Sequence, residues 1–168
     1  YRGKTTADEV RSEWGGGASV RGVGRVPVGQ LTDRIMFQVN GGWGVARYIN
    51  DLNSAGGMDA VFDTTTHELK VLPVLGWYVG YEHRWKEWES VQDMNLRSTV
   101  LWSMVLVDNL DIQPADAYSR THRVATNVVF SPTGRADLGL QYIFGMRKNK
   151  DGRSGQANQI QLVGVFRF

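Results

Sequence analysis

RADLGLQYIFGMR, residues 135–147, decides how the rest of the chain is read. Successive side chains of a β-strand point to opposite faces. That alternation sets Ala136, Leu138, Leu140, Tyr142, Phe144 and Met146 against Arg135, Asp137, Gly139, Gln141, Ile143, Gly145 and Arg147. One face is apolar along its whole length.

The same division recurs on both sides of this stretch. Val71, Leu75, Trp77, Val79 and Tyr81 oppose Tyr78, Glu82 and Arg84, while Ile160, Leu162, Phe166 and Phe168 oppose Gln159, Gln161 and Arg167. In NLRSTVLWSMVLV (95–107) the set Leu96, Val100, Trp102, Met104 and Leu106 faces Arg97, Thr99 and Ser103, a polar face diluted by Leu101, Val105 and Val107. Period-two reading gives strands at 18–29, 33–48, 70–85, 95–107, 118–131, 135–147 and 157–168. Soluble strands have a mode of about five or six residues, whereas a tilted strand crossing a bilayer needs about nine to eleven. Most of these stretches are of the longer kind.

Composition agrees with an all-β chain. The 168 residues include 20 Gly, 6 Trp, 6 Tyr and 6 Phe. Mean hydropathy is −0.32 and no apolar run is long enough for a transmembrane helix. A transmembrane β-barrel escapes that test, because lipid-facing and lumen-facing residues alternate and average out. Cysteine is absent, so neither a disulfide frame nor a thiolate metal site is available. Nineteen Lys and Arg against 17 Asp and Glu leave a formal charge of +2, too little for a dedicated nucleic-acid binder. GVGRVP (22–27) lacks the third glycine of a dinucleotide fingerprint, and no cofactor is expected.

The connections alternate in length. GQLT (29–32) and SPTG (131–134) read as tight turns, while INDLNSAGGMDAVFDTTTHEL, DNLDIQPADA and KNKDGRSGQA read as long polar loops. Outer-membrane barrels carry short turns on the periplasmic rim and long loops outside. KEWESVQDM (86–94) departs from that rule. With the long loops outside, the last strand runs inward and Phe168 becomes a girdle aromatic at the periplasmic rim. An odd strand number and a start at Tyr1 lead to the expectation of one barrel domain over 1–168, the C-terminal part of a longer barrel, forming an open curved sheet with two free edges. The stretch 1–14 reads as a polar loop, which argues against a closed eight-stranded barrel.

Several segments resemble the DcaP-like porins of Gram-negative outer membranes: DRIMFQVNGGWGVARYINDL (33–52), NLRSTVLWSMVLVDN (95–109), THRVATNVVFSPTGRADLGLQYIFGMRKNKDGRSGQANQIQ (121–161) and the terminal FRF. Their order and spacing carry the likeness, which covers about half of the chain. It implies a homotrimer in the bacterial outer membrane, a barrel of about sixteen strands per protomer, and passive passage of small, preferentially anionic solutes such as carboxylates. Leu101 and Met104 stand where the family pattern has more Ser and Tyr, which bears on pore width.

The candidate pore-lining residues follow from strand phase. They are Arg21, Arg25, Arg34, Arg84, Arg97, Arg123, Arg135 and Arg147, with Tyr78, Asn127 and Gln141, and only Asp33, Glu82 and Asp137 join them as acids. Guanidinium forks along a narrow low-dielectric lumen suit a carboxylate handed from site to site. The alternative is that these arginines pair with acids elsewhere. The GGWG run (41–44) invites a bulge that would reverse the phase of Arg47. Trp77, Tyr81, Trp85, Trp102 and Phe130 fall on the apolar face as lipid contacts rather than ligand-stacking groups. Arg120 and His122 fall there too, at the extracellular end, either beside lipopolysaccharide phosphates or as a solvated rim.

Asp108, Asp111 and Asp116 lack calcium-loop spacing. The loop from Asn50 to Leu69 either folds into the lumen as a constriction or stays irregular. Ser119 beside His122 is the one pair resembling a nucleophile and its base, and no nucleophile elbow flanks any histidine, so an enzyme is not expected. The competing reading is a soluble lipocalin-like barrel with the apolar faces turned inward around an apolar ligand.

Overall fold

Seven long strands pair in one antiparallel sheet in the order β11-β10-β9-β8-β7-β4-β3. They are β3 (Gly16–Val28), β4 (Leu31–Trp43), β7 (Pro73–Glu87), β8 (Asn95–Val107), β9 (Tyr118–Thr133), β10 (Ala136–Asn149) and β11 (Ser154–Phe166). The computed structural model describes residues 2–4, 10–49, 52, 57–87 and 94–168. Two short hairpins stand apart from this sheet, β1 (Arg2–Lys4) with β2 (Val10–Ser12) and β5 (Ala60–Asp63) with β6 (Glu68–Val71). Among the described residues β3 and β11 are the sheet's edges and do not meet. The pair within 1–14, expected to be loop, adds no eighth strand to this sheet.

The expected strands are found, with shifted ends. The stretch 33–48 stops as a strand at Trp43, because Gly44 takes φ +68, a left-handed conformation that glycine alone adopts without strain. The ladders of β4 run without a register shift, so GGWG is a strand end and not a bulge. The segment KNKDGRSGQA is no long loop: β10 continues to Asn149, β11 begins at Ser154, and only 150–153 turn. The 108–117 loop lies at the same rim, as does the long β4–β7 connection. Gly29 and Gln30, and Gly134 and Arg135, form the tight turns of the opposite rim. Of the 86–94 link, residues 88–93 lie outside the described residues.

The two faces differ in exposure. On β7 the phase of Leu75, Val79 and Tyr81 is exposed while Val74, Gly76 and Gly80 are buried, and β4, β9 and β10 repeat this contrast. A sheet curved with its apolar face outward produces this difference. The convex face carries Ile35, Phe37, Val39, Trp102, Val124, Val128, Leu138, Leu140, Ile160 and Leu162, all exposed. An open sheet wrapped in water would hide such residues.

Asp33 is the exception, and a correction to its expected position among the inward acids. It shares the outer phase with Ile35, yet it is fully buried. Tyr81 donates its hydroxyl to the Asp33 carboxylate, the Arg84 N–H donates at 3.0 Å, and His83 Nδ1 lies 2.7 Å away. The β4–β7 ladder ends at Arg34 and Glu82, so the carboxylate accepts the next backbone donor of β7 just before that strand bulges at Arg84/Lys86. An arginine placed mid-strand on the outer face tests the sidedness of the sheet. Leu140→Arg is expected to destabilise the full-length protein in vesicles by roughly 2–4 kcal/mol in a urea titration, and Gln141→Arg, one residue on, by less than about 1 kcal/mol.

Candidate functional site

Register alone sorts the concave face into rows. Arg25, Arg34, Glu82, Thr99, Asn127, Gln141 and Gln161 are successive cross-strand partners over all seven strands. Four residues further toward the long-loop rim runs a second polar row, Arg21, Gln38, Tyr78, Ser103, Arg123, Gly145 and Ala157. Between them lies Val23, Met36, Gly80, Leu101, Ala125, Ile143 and Gln159, a mostly apolar band that period-two reading of single strands did not reveal. Leu101 belongs to that band, whereas Met104 stands on the outer face beside Trp77 and so does not narrow the hollow.

The proposed pore residues are therefore brought to one face, with one correction. Arg135 is exposed in the tight turn after β9, because that strand runs on to Thr133, and it is not a wall residue. The others differ in their partners. Arg97 donates to Asn95 Oδ1 and Ser131 Oγ, each at 3.1 Å, and lies 3.4 Å from Asp137. Asp137 also accepts from Ser131 at 2.6 Å and from Arg167 at 2.5 Å, so one carboxylate joins β8, β9, β10 and the end of the chain. Arg34 lies 3.8 Å from Glu82. Arg147 donates to Asn149 Oδ1 at 2.9 Å and stands over the Tyr118 ring, 5.2 Å from its centre. Arg21 and Arg25 are exposed and have no ion pair among the described residues.

The connection after β4 turns inward. Ala46–Tyr48 forms a 3-10 turn, and Ala46, Ile49 and Leu52 bury themselves against Val74, Val105 and Tyr118. Val74 and Val105 have the concave phase. Gly76, on the same face, makes room, since a Cβ there would stand 3.3 Å from Ile49 Cδ1. Arg47 is held in this segment by Asp59, at 2.5 Å from Nε and 3.0 Å from its backbone N–H. Residues 50–51 and 53–56 lie outside the described residues.

The rest of the loop is the β5–β6 hairpin. Asp63 accepts from the backbone N–H of Thr65 (2.9 Å) and Thr66 (3.3 Å), and Lys70 Nζ lies 2.7 Å from its other oxygen. The Lys70 ammonium, with those two backbone donors, holds the Asp63 carboxyl well below the usual carboxylate range, and the carboxylate in turn raises Lys70.

Two minor candidates resolve differently. Ser119 falls at the bulge that opens β9, His122 stands on the outer face beside Met146 and Met104, and no hydrogen bond joins them. In the 108–117 loop the carbonyls of Leu110, Asp111 and Gln113 receive the Lys150 ammonium at 2.8, 2.8 and 2.9 Å, so those oxygens are already occupied by a cation of the chain itself.

The chain is similar to the crystal structure of the outer membrane channel DcaP of Acinetobacter baumannii, with a TM-score of 0.74 and 21% identity. The chain shares the fold of part of that channel's wall. The match covers 96% of this chain and 42% of the DcaP chain, so the seven-stranded sheet spans about two-fifths of that channel. No protein-family model matches, and no curated protein does. The likeness expected from the sequence thus holds as a likeness of fold, a portion of an antiparallel transmembrane β-barrel.

The Asp63–Lys70 pair sets a pH window for the hairpin. Asp63 is depressed in the fold, so its contribution is complete above its ordinary value of 3.8 and fades as pH falls toward its lowered one. Lys70 is raised, so its contribution is complete below 10.5 and fades above it. Amide exchange at Thr65 and Thr66 is expected to be slow, after correction for intrinsic rates, between those limits and to quicken beyond them; Lys70→Met should quicken it throughout.

Proposed function

We propose that the chain forms part of the wall of an outer-membrane diffusion channel that passes small solutes, with a preference for anions such as carboxylates. The observation that carries the reading is the sorting of the sheet: exposed hydrocarbon on the convex face, two polar rows containing Arg21, Arg25, Arg34 and Arg123 on the concave one. A lipid-embedded barrel with a watery interior requires that sorting. A soluble lipocalin-like barrel requires its reverse, because its large apolar side chains would turn into the hollow. Ala46, Ile49 and Leu52, packed on Val74 and Val105, narrow the hollow on the β7–β8 side, away from Arg21 and Arg25 on β3.

The arginines divide by task in this reading. Arg97 is a strut, satisfied by Asp137, Ser131 and Asn95. Arg21 and Arg25 supply net positive potential to the path. The neighbour's printed description is that of a channel, and carrying that activity to this chain belongs to the proposal, as do its place in the outer membrane and its assembly as a homotrimer. Small outward residues would suit close protomer contact; Gly22 lies under its own chain's Phe37 ring and Gly41 under Leu75, which leaves Gly24 as the open position.

Planar-bilayer recording of the full-length protein tests this. In a salt gradient the reversal potential should have the sign of anion preference, and Arg21→Gln with Arg25→Gln should lower the anion-to-cation permeability ratio by at least about twofold. Arg97→Gln is expected to lower the unfolding midpoint and change selectivity little. A cation-selective wild-type pore overturns the proposal.

A further inference from the structure

Arg120 and Lys148 stand directly opposite each other on β9 and β10. Both have the outer phase, in the row that continues through Leu106 to Leu75. Like charges at directly opposed positions of an antiparallel pair repel each other. Neither residue has an ion pair among the described residues, and Arg120 Nε is shielded from solvent without a hydrogen-bond partner. Of the other charges of this rim, Lys150 is taken by three carbonyls and Asp151 by Arg153 at 2.5 Å.

Position narrows what would relieve the repulsion. The next outer row toward the turns is Met146, His122 and Met104, and the one after it is Phe144, Val124 and Trp102. The two cations therefore sit where the apolar band stops and the long-loop rim begins. A compact dianion attached to acyl chains meets both conditions at once, with its charge between the two side chains and its hydrocarbon on the residues below.

We propose that Arg120 and Lys148 seat the phosphate of an anionic lipid headgroup, such as the phosphorylated glycolipid of lipopolysaccharide, in the leaflet facing the long loops. His122, one row nearer the acyl chains, supplies a further ring nitrogen to the same headgroup. The proposal rests on the membrane placement of the convex face and is independent of what the hollow conducts.

The test is lipid binding by the detergent-solubilised full-length protein, read by native mass spectrometry with phosphorylated lipid A, dephosphorylated lipid A, or inorganic phosphate at millimolar concentration. Phosphorylated lipid A is expected to be retained by the wild type. Arg120→Gln with Lys148→Gln should weaken that binding roughly thirtyfold, from two surface cations each contributing about one kcal/mol toward an anionic lipid. Arg153→Gln at the same rim should change it by less than about twofold. The charge-keeping exchange of Arg120→Lys with Lys148→Arg should retain binding, which separates loss of charge from loss of fold. Equal retention of both lipid A forms, unchanged binding by the double glutamine variant, or displacement by inorganic phosphate would each overturn it. A pore that fails to conduct while the lipid result holds would sink the channel reading and leave this one standing.

Discussion

In the proposed membrane setting, backbone hydrogen bonding where water is absent is the constraint on which the rest of the sheet depends. Each unpaired N–H or C=O in hydrocarbon costs several kcal/mol, so a wall built of strands needs ladders without gaps across the bilayer. The ladders here meet that demand: the β3–β4, β4–β7 and β8–β9 registers run without a shift. The irregularities fall at strand ends, at Arg84/Lys86, Ala136/Leu138 and Lys148/Asn149. There headgroups and water can satisfy what the ladder leaves. An unbroken register has a second effect, since a slip of one residue would exchange the inner and outer sets of a whole strand. Backbone continuity therefore fixes the sidedness of every side chain.

Once sidedness is fixed, the interior becomes a matter of which residues share a row. Polar rows separated by the Val23–Met36–Leu101–Ile143 band give a concave face that is polar, then bare, then polar again. In the proposed channel an anion would meet few hydrogen-bond donors between the two polar rows, so neither row would hold it too tightly to leave. Salt bridges refine this. The Asp137 hub uses Arg97 and Arg167 to tie strand ends together at the tight-turn rim.

The alternation in RADLGLQYIFGMR made the strands legible, because lipid on one side and water on the other leave period two almost undiluted there. Side-chain patterns say little about where a strand stops. Trp43 continues the alternation, and only the positive φ of Gly44 ends β4. In KNKDGRSGQA the polar residues that looked like loop are strand, ending β10 and opening β11 beyond the apolar outer residues. Asp33 and Arg34 are adjacent and cannot share a face; the acid takes the outer phase because Tyr81, His83 and the Arg84 N–H complete its shell. The inward fold of Ile49 and Leu52 depends on a glycine two strand positions away from Val74, a coincidence of tertiary packing that no local period records.

The polar departures on the convex face obey a depth rule. Asp33 lies just beyond the Gly29–Gln30 turn, and Arg120 and Lys148 lie at the opposite ends of their strands. Between such limits the outer phase of β10 is apolar without interruption from Ala136 to Met146. Ten steps of about 3.4 Å make roughly 34 Å of strand, and a tilt near 40–45° reduces that to about 25 Å, the height of the apolar band on an outer-membrane barrel. A soluble sheet has no reason to stop its apolar stripe at that height on a strand of 14 residues. The cations begin where the apolar stripe ends, so in the proposed membrane setting strand length and the position of charge answer to the same dimension of the bilayer.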